Sequence, residues 1–131
     1  MRTVNFASDR YLERRVAAWC ALADLFLDTE LQPDDFDRIA ATLHGARFGV
    51  AEAERILRNE VAPVFVANGL SVAGEWAGWP DEFVQQRVMA HLASSPVPRA
   101  WMKFRARIHA GIYKDAWLEV ASRLKNMEHD A

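Results

Sequence analysis

Apolar residues recur at steps of three and four through most of the chain, the period of one helix face. Either Ser8 or Asp9 is able to cap a first helix. From there Leu12, Val16, Trp19, Ala23 and Phe26 line one stripe, and Ala18, Leu22 and Leu25 widen it. That breadth predicts a central helix, with Arg10, Arg14 and Arg15 on its wet side. Pro33-Asp34-Asp35 opens a second helix, because proline suits a first turn and acids meet the positive end of the helix dipole. Phe36, Ile39, Ala40 and Leu43 face inward, and Gly45 is a natural stop. A third pattern runs from Val50 to Asn68, with Val50, Ala53, Leu57, Val61 and Val64 on one face. Within it Glu54 and Arg58 pair at helical spacing, and Asn68-Gly69 ends it. Pro63 removes a backbone donor and predicts a kink or a break.

Pro80-Asp81-Glu82 repeats the same opening chemistry. A fourth helix follows, with Val84, Val88 and either His91 or Leu92 inward. Ser94-Ser95-Pro96-Val97-Pro98 is the clearest break in the chain. From Arg99 to about Lys125 the pattern is helical throughout: Trp101, Phe104, Ile108 and Ile112 share one stripe, and Tyr113, Trp117, Val120 and Leu124 the next. The register changes near Gly111, which predicts one kinked helix or two short ones. No strand-like alternation of any length occurs. The expected fold is all-α, a single domain over residues 1–131 built as a bundle of five or six helices.

Composition agrees with that picture. The chain of 131 residues is 51% hydrophobic, enough to bury a core without staples. Its one cysteine, Cys20, leaves no internal disulfide and fits a reducing compartment. Cys20 sits in the apolar run of the first helix, the setting of an inert thiol. The first ten residues lack the apolar stretch of a signal peptide, and the longest apolar run, Val16 to Leu27, is too short to cross a bilayer. The expectation is a soluble cytoplasmic protein with no membrane contact.

Charge is unevenly spread although the net value is only −2. Asp24, Asp28, Glu30, Asp34, Asp35 and Asp37 form an acidic stretch with no lysine or arginine between positions 24 and 37. Dipole capping and a solvated face account for it, as does a surface that meets a basic partner. A metal site has less behind it, because the spacing matches no calcium loop. The C-terminal third is the opposite: Arg99, Lys103, Arg105, Arg107, Lys114, Arg123 and Lys125 face only Asp115 and Glu119. Arg99, Lys103 and Arg107 recur at helical spacing and predict one basic stripe. It suits phosphate contacts, or it answers the acidic stretch within the fold or in a homodimer. The near-neutral total charge disfavours nucleic acid.

Catalytic candidates are thin. His44, His91, His109 and His129 show no metal-binding spacing, and one cysteine argues against a zinc site. No cofactor motif is present. Between Leu70 and Pro80 lie two of the five tryptophans, Trp76 and Trp79, in a stretch broken by Gly74, Gly78 and Pro80. Tryptophan is costly to expose, so this segment is pinned to something: a lid on the core, or a platform for a ligand. Glu75 is the lone charge there. A carboxylate beside Trp76 suits a general acid, but no base or nucleophile is paired with it, and capping or arginine binding is the commoner use.

Three segments resemble an uncharacterised family of short bacterial proteins, a domain of unknown function: Leu25-Phe-Leu-Asp-Thr-Glu-Leu31, Ile56-Leu-Arg-Asn-Glu-Val-Ala-Pro-Val64 and Leu70-Ser-Val-Ala-Gly-Glu-Trp-Ala-Gly78. The resemblance covers about Ala21 to Val88. It implies bacterial origin and a single-domain chain, carries no assigned activity, and groups Asp28, Glu30, Glu60, Pro63, Glu75 and Trp76 in one constellation.

The functional expectation is a non-catalytic protein-binding module, in its narrower form an immunity or antidote protein that neutralises a cognate bacterial toxin. Asp28, Glu30, Asp34, Asp35, Asp37, Glu75, Trp76 and Trp79 are its expected contact residues, facing a basic toxin domain. The alternatives are a small enzyme around Glu75 and a structural or regulatory homodimer.

Overall fold

The computed structural model describes residues 6–26, 30–69 and 79–130. The expected Asp28, Glu75 and Trp76 lie outside them. Among the described residues there are seven α-helices and no strand. They are α1 (Phe6–Ala23), α2 (Pro33–Gly45), α3 (Val50–Ile56), α4 (Ala62–Gly69), α5 (Asp81–Leu92), α6 (Pro96–Ile108) and α7 (Lys114–Asp130). No helix among the described residues is long and apolar enough to cross a membrane.

Helix α1 is central, as its broad stripe predicts, and packs against α2, α5 and the segment joining α3 to α4. Trp19 and Leu22 are fully buried on it, but Leu12 faces outward and the stripe closes only from Val16 onward. Helix α1 begins by Phe6, ahead of the expected caps.

Helix α2 spans Pro33–Gly45, as its opening chemistry and inward stripe predict. Gln32 and Asp35 form a reciprocal capping box at its start, with Asp35 Oδ2 accepting the Gln32 N–H at 2.8 Å. The helix stops at Gly45, as expected, but the closing turn is made two residues further on. The left-handed residue is Arg47 (φ 66°) rather than Gly45. Phe48 N donates to Leu43 O at 3.1 Å and Arg47 N to His44 O at 3.0 Å, which is a Schellman closure. The Arg14 guanidinium holds the turn by donating to Ala46 O (2.7 Å) and Arg47 O (3.1 Å).

The third helical pattern is broken where Pro63 requires it. Leu57–Val61 form one π turn between α3 and α4, which absorbs the missing donor of Pro63. The turn presents Glu60 to α1. Its Oε1 accepts the Trp19 indole N–H at 2.7 Å and pairs with Arg15 Nη2 at 2.6 Å. Arg15, expected on the wet side, therefore lies half-buried over the Trp19 ring.

Of the two inward candidates on α5, His91 is the buried one, at 4% exposure, while Leu92 is half-buried. Helix α6 begins at Pro96, inside the stretch read as a break: prolines are tolerated in a first turn, whose N–H groups have no helical partner anyway. A 3-10 turn at Ala110–Ile112 then separates α6 from α7, so the last stretch is two helices. Helix α7 lies along α2 and buries Trp117, Val120 and Leu124. Its Glu128 reaches back to the start of α3, where Oε1 accepts the Val50 N–H at 3.0 Å.

Candidate docking face and basic groove

Helix α6 turns its apolar stripe away from the core. Val97, Trp101, Phe104 and Ile108, spaced four, three and four residues apart, are 80, 62, 52 and 61% exposed. On this helix Ala106 alone is buried. Trp101, Phe104 and Ile108 thus share one stripe, as their spacing predicts, and that stripe lies in solvent. The small Ala106 face approaches α4 and the π turn, and the bulky face is left in solvent. Trp101 and Phe104 touch, with ring centroids 6.0 Å apart.

The described tryptophans differ in one respect. Trp19 donates to Glu60, Trp79 to Ala23 O at 2.9 Å, and Trp117 to Glu54 Oε1 at 3.0 Å. Trp101 has no such partner among the described residues. Trp79, expected as a contact residue, is half-buried: it stacks on Phe83 (centroids 5.7 Å, 11° between planes) and meets Phe65 at 5.2 Å. Its indole satisfies a carbonyl at the end of α1, so it acts as a lid on the core.

The acidic stretch is largely engaged within the fold. Arg38 bridges Asp24 (3.0 Å) and Asp35 (3.2 Å), and Arg123 on α7 meets Asp37 at 2.6 Å. Burial pushes the Asp24 carboxyl up, against the pull of Arg38. The Gln32 N–H, with Arg38 behind it, holds Asp35 below its ordinary value. Glu30 and Asp34 are exposed. The reading in which basic residues answer the acidic stretch inside one chain therefore holds for Arg123 and Asp37.

Beside α6 lies a groove of about 570 Å³. Five cations line it: Arg55 and Arg58 from α3 and the π turn, Lys103 and Arg107 from α6, and Lys114 from α7. Its one carboxylate among the described residues, Glu54, is held by the Trp117 indole and lies 3.8 Å from Arg58 Nη2. Leu57, Ala110, Tyr113, Trp117 and Leu118 supply the apolar lining. Burial pushes the Tyr113 phenol up, so the ring adds no charge near neutral pH.

Two groups once weighed for chemistry are placed without it. Cys20 is pushed up to about 12, first by burial and then by Asp81, which makes the thiolate scarce. Among the described residues neither ring nitrogen of His91 makes a well-formed hydrogen bond. Burial lowers its pKa; Lys103 and Arg99 push the same way, while the Asn59 backbone and Glu60 oppose them. No group of three or more His, Cys, Asp or Glu among the described residues is placed to hold a metal ion.

Sequence reasoning found the basic stripe but not its combination with an outward apolar face. A readable sign was the charge of α6: Arg99, Lys103, Arg105 and Arg107 with no acid at all, beside a stripe as bulky as a core face. The model of a protein family, described as a domain of unknown function (DUF7079), matches residues 13–123. No curated protein and no solved structure matches the chain.

Proposed function

The chain belongs to the DUF7079 family, a domain of unknown function, and we propose that it is a non-catalytic protein-binding module that docks through the outward face of α6. The observation that carries this reading is the exposed seam of Val97, Trp101, Phe104 and Ile108. Large apolar side chains at helical spacing, with an aromatic pair near the middle, are the usual anchors of a helix-mediated interface. Monomeric proteins seldom display such contiguous apolar surface without a use for it.

The flanking charge says what kind of partner suits the seam. The four cations of α6 have no acid between them. Two copies paired along α6 would set cation against cation, which weighs against the homodimer. An acidic segment with apolar anchors meets both features. The antidote reading then takes a changed form: a toxin bound here would present carboxylates rather than a basic active site.

Two variants decide between the faces. Trp101→Ser with Phe104→Ser removes the seam; Asp34→Lys with Glu30→Lys reverses the exposed acids. Partners captured from a lysate of the source cells, at several salt concentrations, are compared with those of the unsubstituted chain. A stoichiometric partner lost with the first variant and kept with the second is the expected result. The reverse pattern would favour the acidic face and overturn the α6 reading. Light scattering that shows a dimer dissociated by the first variant would place a second copy on the seam instead.

A further inference from the structure

The groove on the inner flank of α6 is a different feature from the seam and carries an inference of its own. We propose that it binds a compact ligand bearing two or more phosphate groups on an aromatic or apolar body, the chemistry of a nucleoside diphosphate or triphosphate.

Three observations converge. The cations come from separate elements: Arg55 on α3, Arg58 on the π turn, Lys103 and Arg107 on α6, and Lys114 at the start of α7. A compact polyanion inside the hollow draws on all of them at once. Second, these cations are not spent elsewhere. Among the described residues Arg55, Lys103, Arg107 and Lys114 form no ion pair, and Arg58 has only its 3.8 Å approach to Glu54. Glu54 itself is held by Trp117, so among the described residues five positive charges face one restrained negative charge. Guanidinium forks and ammonium groups together match phosphate oxygens, the former by paired hydrogen bonds. Third, the lining is not polar throughout. Leu118, exposed beside the edges of Tyr113 and Trp117, offers a surface for a ring or another apolar body, in a volume of about 570 Å³, typical of small-molecule pockets.

The tyrosine and the tryptophan are largely buried, so they supply edges rather than open stacking faces. The phosphates therefore carry most of the affinity and the apolar body adds to it. Each contact is partly exposed to water, which makes the binding salt-dependent.

Isothermal titration of the full chain with pyrophosphate, adenosine diphosphate, adenosine and sulfate tests this. Adenosine diphosphate should bind tightest, pyrophosphate about tenfold more weakly, and adenosine and sulfate more weakly still. Lys103→Glu with Arg107→Glu, both at exposed positions, should abolish binding of both phosphate compounds while leaving the melting temperature nearly unchanged. Trp101→Ser with Phe104→Ser should leave nucleotide binding intact, which separates the groove from the apolar seam, although Lys103 and Arg107 border both. Adenosine diphosphate binding no tighter than sulfate would overturn the proposal. So would a short oligothymidylate binding about a hundredfold tighter than the nucleotide, which would make the groove a nucleic-acid track.

Discussion

Helices α2 and α6 are both thirteen residues long, both open on proline, and both carry one well-formed apolar stripe. One stripe is core and the other is surface. Ile39, Ala40 and Leu43 of α2 are completely buried between α1 and α7, whereas Trp101, Phe104 and Ile108 of α6 stand in solvent. Periodicity shows that a helix has two faces; only its neighbours decide which one is covered. For α2 the neighbours are two long helices able to enclose a stripe. For α6 the contact is a small face around Ala106 laid on α4 and the π turn.

If the two stripes differ in this way, equivalent truncations should have unequal costs. Leu43→Ala should destabilise the fold by about 2–5 kcal/mol, because a fully buried leucine leaves both lost transfer energy and a cavity. Phe104→Ala should change stability by no more than about 0.5 kcal/mol. Urea denaturation of both variants measures the gap, and a large loss for Phe104→Ala would show that α6 is packed against something after all.

A finer test uses the buried polar group closest to α6. In the unfolded chain His91 has its ordinary pKa of 6.5, and burial lowers it in the fold. Below about 6.5 the unfolded chain takes up a proton that the folded chain refuses, so stability falls as pH drops. Above that value the contribution is complete. The urea midpoint should therefore decline on mild acidification, and His91→Leu should flatten that decline. A slope unchanged by the substitution would assign it to other groups.

The smallest effect belongs to the end of α2. Arg47 occupies a conformation that costs a side-chain-bearing residue energy and glycine almost none. Arg47→Gly should raise stability by about 0.5–1 kcal/mol, measured as an upward shift in melting temperature. No gain would mean that the Arg14 clamp already offsets the strain.

Local chemistry was legible where it acts within a few residues. The prolines and acids at Pro33 and Pro80 mark helix starts, and Pro63 marks the π turn. Tyr113, Trp117, Val120 and Leu124 are buried as their spacing implies. What depends on distant partners was not legible. Arg15 read as solvated because Glu60, 45 positions away, becomes its neighbour only through the π turn. Asp37 read as a contact for a partner or for the basic C-terminal third, and the choice of Arg123 was not legible because it arrives from another helix. Gly45 ends α2 as read, but the left-handed position falls at Arg47, in a turn that the distant Arg14 supports. The stripe of Trp101 was legible but not its exposure, because no sequence pattern records how closely α6 approaches α4.

The hydrogen bond from the Val50 N–H to Glu128 also bears on how the chain is made. It joins residues 78 positions apart, and the Asp37–Arg123 contact joins residues 86 apart. Helix bundles usually fold fast because their contacts are local, but here α2 and the start of α3 find their final neighbours only on α7. As the polypeptide leaves the ribosome, the buried side of α2 has only α1 to cover it while more than half of the domain is synthesised. The early helices are then dependent on later ones, and completion of the core is held back until α7 has emerged.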